Sequence, residues 1–454
     1  PVFIRAIDWT SADDVTEAQQ LLNSWTPPSV TDALQLLGPS IGDAKIRAFA
    51  VQCLESCSNK DLETYMLQLV QAIKHEPFCD SSLVRFIIRR GLRNPQTVGH
   101  ALFWALEAEL GEARASKNNN QRLWSTIYKF GVALTLFLRT CGPHRVTLGH
   151  EMYMMQCLKA VQESGFSAKN KHMRLQTIRN KLEQLHLPDR FQLPLNAAMR
   201  ATGLNIEKCR PMSSKMVPLW LNFKNPIGKQ IPHVVLFKAG DDLRQDQVVL
   251  QFVLLMDLLL KRVNLDMKLT CYNALATGAS SGIVQFVEDS RAVSDILADN
   301  QGSILNYLRA HNPDTAAPGG VSAVAIDSFT KSCAGYCVIT YLLGVGDRHL
   351  DNIMVRKNGQ LFHIDFGFIL GRDPKPYPPP FRLTREMAEA MGYPDGANWS
   401  EFRTKCCQAY CCLRRHAPLL LNLMSLMKDA GVEHLSEDAS QKFQDRFRLD
   451  LSDE

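Results

Sequence analysis

Between about residues 15 and 160, apolar side chains return every three or four positions, the spacing that gathers them on one face of a helix. One stripe runs Ile46, Phe49, Ala50, Cys53 and Cys57, and the next Leu62, Tyr65, Met66, Leu69 and Ile73. Between them Ser58-Asn59-Lys60-Asp61 supplies N-cap candidates, since short polar side chains accept from the free amides of a first turn. Pro77 stops a helix, Asn94-Pro95 begins another turn, and further helices are predicted around 81–90, 96–110 and 121–140. Each helix pair needs a neighbour to cover its apolar face, so a stack of pairs, a solenoid, is the economical reading.

From Ser164 to Arg190 the texture turns polar, with Lys169, Lys171, Arg174, Arg179, Lys181 and Arg190 against Glu183 and Asp189. A solvated linker helix is the plain interpretation, and contact with an anionic membrane the sharper one. After Pro194 come short β-branched runs, Val234-Val235-Leu236-Phe237 and Ile283-Val284-Gln285-Phe286-Val287, mixed with long helices. The predicted fold class is therefore multidomain. An all-α helical-repeat domain over 1–190, with a linker at its end, precedes a mixed α/β domain over 191–454.

Composition adds limits. Of 454 residues, 46% are hydrophobic and 21% charged, which excludes a wholly disordered or collagen-like chain. The 51 basic and 46 acidic residues leave a net charge of +5, too balanced to call for nucleic acid as a partner. Thirteen cysteines form no regular framework, and the Cys406-Cys407 and Cys411-Cys412 spacing matches no zinc pattern, so they are expected to be reduced thiols in a cytoplasmic protein. No run of 18 apolar residues suggests a membrane-spanning helix. Pro1-Val2-Phe3-Ile4-Arg5 lacks an initiator Met and a signal-peptide layout, and both ends read as cut from a longer chain.

Chemistry concentrates in Gly346-Asp347-Arg348-His349-Leu350-Asp351-Asn352 and Asp365-Phe366-Gly367, joined by two apolar runs around Asn358-Gly359. Asn-Gly between such runs predicts a two-residue hairpin turn. With those two residues as the turn, Asn352 falls directly opposite Asp365, their Cβ atoms roughly 5 Å apart. Hard oxygen donors so placed can share a divalent ion, and Mg²⁺ carrying nucleotide phosphates is the usual one. The spacing also meets the kinase template, in which a catalytic Asp lies five positions before a metal-binding Asn and an Asp-Phe-Gly follows. Here Asp347 precedes Asn352 by five, but His-Arg-Asp is inverted to Asp-Arg-His. His349 can then reach an acceptor hydroxyl as general base, with Asp347 orienting it or sharing that role. His363 is taken as a packed structural histidine.

Upstream, a strand through Val234–Phe237 leads to Lys238, and a Lys at a strand end suits pairing with α/β-phosphates. Asp242 with Gln245 resembles a capping box opening a long helix, whose buried stripe is Val248, Phe252, Leu255 and Leu259. No Gly-x-Gly-x-x-Gly covers Lys238, which counts against an ordinary protein kinase. The candidate cover is Met212-Ser213-Ser214-Lys215-Met216-Val217-Pro218.

Four segments closely resemble the signatures of the phosphatidylinositol 3-kinase family. They are Phe-Lys-x-Gly-Asp-Asp-Leu-Arg-Gln-Asp at 237–246, Ser-Cys-Ala-Gly-Tyr-Cys at 332–337, Gly-Asp-Arg-His-x-Asp-Asn at 346–352 and Phe-His-Ile-Asp-Phe-Gly at 362–367. The helical part, through Leu67–Ala72 and Gly99–Trp104, resembles the family's accessory domain, and 344–352 with Gly-Arg-Asp-Pro-Lys-Pro-x-Pro-Pro-Pro at 371–380 resembles class III, the vacuolar protein sorting type. The resemblance implies a bilobal α+β kinase-like catalytic domain, ATP as cosubstrate, and Mg²⁺, with Mn²⁺ as the substitute ion, on Asn352 and Asp365. It places Ser214 and Lys215 in the phosphate loop, although Ser-Ser-Lys there is partly class I-like. Lys238 would meet ATP phosphates; Leu236 and Val284 would belong to the ATP site; Met354 and Ile364 would lie beneath the base; Asp246 and Tyr272 would line the inner pocket. Gln285, Phe286 and Val287 would form the adenine hinge, and Asp347, His349 and Lys238 the catalytic set. By the same resemblance the partners are phosphatidylinositol in membranes, a regulatory pseudokinase-type subunit and a Beclin-type subunit. The setting is cytoplasmic and peripheral on endosomal and autophagic membranes. A preceding lipid-binding-type β-sandwich and a C-terminal amphipathic helix would be missing, so nucleotide binding is expected to survive better than turnover on bilayers.

Two rivals remain: a Ser/Thr protein kinase of the related large helical-repeat group, and a helical scaffold with a dead kinase fold. Substrate choice has a physical argument. Each extra inositol phosphate adds about −1.5 to −2 charge and favours clustered Arg or Lys. Between Asp365 and Thr384 the chain offers Arg372, Lys375 and Arg382, diluted by Pro374, Pro376, Pro378, Pro379 and Pro380. Turnover on unphosphorylated phosphatidylinositol is accordingly expected to exceed that on its bisphosphate, and faster use of the bisphosphate in side-by-side assays would overturn this assignment.

Overall fold

A computed structural model of the chain describes residues 4, 6–22, 24–115, 121–168, 170–213, 216–226, 231–435 and 438–452. Helices α1 to α9 run Ala12–Leu21, Val30–Leu36, Ala44–Leu54, Asn59–Ala72, Ser82–Arg93, His100–Ala115, Gln121–Thr140, His144–Phe166 and Lys171–Glu183. Ser58 caps α4 by accepting from the Asp61 amide, and Ser81, Asp43 and Asn170 cap α5, α3 and α9 in the same way. The expected stripes face inward: Leu62, Tyr65, Met66 and Leu69 of α4 are buried, as are Ile46, Ala50 and Cys53 of α3. Phe49 is only half-buried, edge-on to Trp25. Arg47, on the same helix, is fully buried because five acceptors meet it: Glu76 Oε1 at 2.5 Å and the carbonyls of Leu37, Gly38, Ile41 and Ala72.

The chain divides into two compact units. The first comprises Pro1–Arg244, Ala274–Gln285 and Asn422–Gly431; the second comprises Gln245–Asn273, Phe286–Leu421 and Val432–Glu454. In the first unit the helices are followed by a two-stranded ribbon, β1 (Phe191–Gln192) with β2 (Arg200–Ala201). A five-stranded antiparallel sheet is then built from β3 (Arg210–Pro211), β4 (Leu219–Phe223), β5 (His233–Ala239), β6 (Ala274–Gly278) and β7 (Ser281–Gln285), in the order β3-β4-β5-β7-β6. Helix α6 packs on the edge strand β6, and Gly111 permits it: a Cβ there would lie 2.8 Å from the Ala279 amide. Glu109 of α6 pairs with Lys74 at 3.3 Å and Arg244 at 3.2 Å, binding helices and sheet into one body.

The second unit takes all of α10 (Arg244–Arg262) after its first residue. The expected stripe Val248, Phe252, Leu255 and Leu259 is buried. The capping box is not formed. Asp242 instead accepts from the Arg244 amide at 3.0 Å and from its guanidinium, while Gln245 donates to the Phe366 carbonyl. Three short strands, β8 (Ser290–Ala292), β9 (Ile353–Arg356) and β10 (Leu361–His363), form a sheet in the order β10-β9-β8. Around it lie α11 (Val293–Asp299), α12 (Ile304–His311) and α13 (Ala323–Leu342), then α14 (Arg385–Ala390), α15 (Ala397–Arg415), α16 (Ala417–Leu426) and α17 (Asp438–Arg446); α16 spans both units. Helix α13 is buried almost all round, as a central core helix must be, and packs along α15.

The hairpin register differs from the expectation by one residue. Ile353, Met354 and Val355 pair with His363, Phe362 and Leu361, so Asn352 falls opposite Ile364 and not Asp365. The loop has three residues: Gly359 N donates to Arg356 O, Arg356 N donates to Gln360 O, and Gly359 alone takes positive φ, at +93°. That is a type I turn closed by a glycine bulge rather than the two-residue turn. The tip lies against the start of α13, where a Cβ on Gly359 would be 2.2 Å from the Ala325 carbonyl oxygen, so the position requires glycine.

Candidate active site

Helix α13 ends into a loop that runs beside the segment following Asp365-Phe366-Gly367. Leu370 N donates to Leu343 O, Gly371 N to Gly344 O, and Gly346 N to Phe368 O, all at 2.9 Å. The approach is close enough to demand glycine: a Cβ on Gly346 would lie 2.2 Å from the Arg372 carbonyl oxygen. Asp347 follows with φ of +52°, a conformation unfavourable for a side chain with a Cβ. Three hydrogen bonds hold it there. Its amide donates to Asp373 Oδ2 at 2.8 Å, and its carbonyl accepts from His349 N at 3.0 Å and Asn352 Nδ2 at 3.1 Å.

Arg348 turns inward between the two acidic neighbours of this loop and is 6% exposed. Its Nε donates to Gly346 O at 2.7 Å, Nη1 to Ile364 O at 2.7 Å, and Nη2 to Asp365 O. Its guanidinium also lies 5.7 Å from the Phe366 ring centroid. One planar cation therefore fixes the backbone carrying Asp347 against the backbone carrying Asp365. Sequence reasoning treated Arg348 as part of a motif and assigned it no role; its partners are carbonyls, which leave no mark in a pattern of side chains.

His349 is half-exposed, with Nε2 3.9 Å from Asp347 Oδ2 and Nδ1 3.6 Å from Asp351 Oδ2. Both separations exceed a hydrogen bond, and they leave the imidazole between two carboxylates. Asn352 is buried, and since its amide nitrogen is engaged on the Asp347 carbonyl, its oxygen is the end left to meet a cation. The Asp365 side chain is exposed, on a residue at φ +60°. Among the described residues no group of three or more His, Cys, Asp or Glu could hold a metal. One carboxylate and one amide oxygen nonetheless suit Mg²⁺, which keeps waters and takes phosphate oxygens for its other ligands.

Behind these loops the packing is specific. Asp246 Oδ1 accepts from Phe366 N at 3.1 Å while Gln245 Nε2 donates to Phe366 O at 2.7 Å, so the first turn of α10 grips the middle residue of Asp-Phe-Gly through both its amide and its carbonyl. Tyr272 OH donates to the His363 carbonyl, and burial, reinforced by Asp246, raises its pKa far above the usual phenol value. His363 is fully buried and stacked on Tyr336 at 5.3 Å between centroids; burial drives its pKa well below 6.5, as its structural assignment requires. Met354 and Ile364 are half-buried. Arg372 and Lys375 are exposed, and Asp373 between them anchors Asp347 and accepts from Lys375 N.

In the first unit, Leu236 and Lys238 share one half-buried face of β5, while Val235, Phe237 and Ala239 point into the core. Val284 of β7 lies opposite Leu236, and Gly282 opposite Lys238. Apolar side chains and a cation thus line one side of the sheet. Gln285 ends β7 and the chain passes at Phe286 and Val287 into the second unit. Ser214 and Lys215 lie outside the described residues.

A lysine on the half-buried face of a five-stranded sheet, and an Asp-Arg-His loop locked to an Asp-Phe-Gly loop, are the parts of a kinase-like catalytic domain. The family model for phosphatidylinositol 3- and 4-kinase matches residues 233–436, and that for the phosphoinositide 3-kinase accessory domain (PIK domain) matches 1–146. The chain belongs to the phosphatidylinositol 3-kinase family and carries both its accessory and catalytic domains. It is 39% identical to phosphatidylinositol 3-kinase pik3 of Schizosaccharomyces pombe, covering 99% of this chain and 57% of the relative. It is 37% identical to phosphatidylinositol 3-kinase VPS34 of Arabidopsis thaliana and to the root isoform of Glycine max, each covering 100% of this chain and 56% of the relative. The chain thus spans a little over half the length of these three relatives.

The buried His363 gives a pH prediction. Its folded pKa lies below its unfolded value near 6.5, so the unfolded chain binds the extra proton and stability falls as pH drops through that value. Replacing it by Gln should shrink the loss of unfolding free energy between pH 7.5 and 5.5 by about 1 kcal/mol, measured by urea titration at each pH. An unchanged difference would show that His363 does not titrate on unfolding.

Proposed function

We propose that the chain transfers the γ-phosphate of ATP to the 3-hydroxyl of phosphatidylinositol, giving phosphatidylinositol 3-phosphate. The observation that carries this reading is the Arg348 clamp, which keeps a base-bearing loop and a cation-binding loop in one rigid frame. His349, between Asp347 and Asp351, takes the proton of the inositol hydroxyl as its oxygen bonds to the γ-phosphorus and the bond to the β-phosphate oxygen breaks, releasing ADP. Asp347 orients the imidazole and offsets its developing charge. Asn352 and Asp365 would hold Mg²⁺, which supplies neutralisation of phosphate charge when bound. Lys238 meets the nucleotide phosphates, with Ser214 and Lys215 in the phosphate loop. Leu236, Val284, Met354 and Ile364 flank the base, Gln285 to Val287 act as the hinge, and Asp246 and Tyr272 back the pocket.

Arg372 and Lys375 receive the lipid headgroup, and the exposed run that follows them suits a substrate presented at a surface. Residues 1–190 act as a solenoid-type accessory scaffold and 191–454 as the catalytic domain. No helix among the described residues is long and apolar enough to cross a membrane. The proposed place of action is the surface of endosomal and autophagic membranes. The pseudokinase-type and Beclin-type subunits are its proposed partners.

His349→Ala should lower kcat on phosphatidylinositol vesicles by about 10²- to 10⁴-fold while MgATP affinity stays within about twofold. Label from [γ-³²P]ATP should appear in lipid. Undiminished turnover removes His349 as the base, and label in protein alone supports the rival Ser/Thr kinase.

A further inference from the structure

Between the stretches matched by the accessory and catalytic family models, on α8, lies a polar side chain with no solvent exposure, Gln162. Its Nε2 donates to the carbonyl oxygens of Met216 at 2.6 Å and Ala239 at 3.0 Å, and its Oε1 accepts from the Ala239 amide at 3.0 Å. Ala239 follows Lys238 and ends β5. Met216 lies two residues before Pro218, whose carbonyl accepts from Met212 N at 2.7 Å. Fit is tight where the two come together. Gly240 has φ of +98°, donates its amide to Ser280 O, and would place a Cβ 1.8 Å from the Met216 methyl group. A buried amide with both ends taken up by the backbone of two other elements fixes those elements to the helix and to each other. A side chain needed only to fill space would be apolar.

We propose that Gln162 is a positioning residue for nucleotide phosphates: it sets the end of β5, and with it Lys238, against the backbone at Met216. This rests on Lys238 contacting the phosphates, as proposed above. If Gln162 acts through Lys238, its loss weakens binding of a phosphorylated ligand and spares the nucleoside. Equilibrium affinities for MgATP and for adenosine, with thermal melting, are measured on the full chain as wild type, Gln162→Leu, Lys238→Met and the double variant. Gln162→Leu should weaken MgATP about tenfold, leave adenosine within twofold, and add nothing further on the Lys238→Met background. Equal weakening of both ligands, unchanged MgATP binding, or fully additive losses would overturn the proposal. Should Gln162→Leu fail to fold, Gln162→Glu keeps the acceptor for Ala239 N but loses both donations, and the same contrast is required of it. If Lys238→Met leaves MgATP affinity unchanged, the reading of Lys238 fails, and with it the inference. If Lys238→Met weakens MgATP and the Gln162 variants do not, the inference alone fails.

Discussion

A single buried guanidinium holds the two loops of the second unit in register. Arg348 donates to Gly346, Ile364 and Asp365 carbonyls, which come from both sides of the site. Without it those three carbonyls would each lose a hydrogen bond from a charged donor, of a kind that contributes about 1.5–3 kcal/mol. The rest of the loop follows from this constraint. Asp347 keeps a positive φ because Asp373, His349 and Asn352 surround its peptide, and Asp365 keeps one because Asp246 and Gln245 grip the next residue. Strain of this kind survives only where neighbours over-determine the backbone.

The same logic operates in the first unit at a different place. There the fixed points are Arg47, which gathers loose carbonyls into a buried ion pair, and Glu109, which serves both Lys74 and Arg244. Burial of Lys74 lowers its ammonium pKa, with Glu109 opposing that shift. A buried pair of this type contributes specificity of packing more than net stability. It gives the helices and the five-stranded sheet a common frame, so the strand bearing Lys238 is set by helices far from it in sequence.

Much of this was legible in the sequence. Ser58 and the stripe through Leu62 and Leu69 announced a capped amphipathic helix, and Val234 to Phe237 announced the strand before Lys238, because local propensity and burial agree there. The hairpin register was not legible. Asn358-Gly359 fits a two-residue and a three-residue loop equally well, so the local pattern does not choose between them. Asp242 and Gln245 match a capping box, yet Arg244 and Phe366 offered each a better partner. Arg348 and Gln162 escaped notice for one reason: both act on backbone carbonyls or amides, and sequence patterns record side chains.

The account depends most on the Arg348 clamp, and Arg348→Lys tests it directly. Lysine keeps the charge but not the planar fork of donors. Single-turnover phosphoryl transfer from MgATP to phosphatidylinositol vesicles should slow by about 100-fold in a variant that still melts cooperatively, because a misplacement of about 1 Å between reacting groups costs that much. Transfer at the wild-type rate in such a variant would contradict the claim that this guanidinium holds the catalytic loops in register.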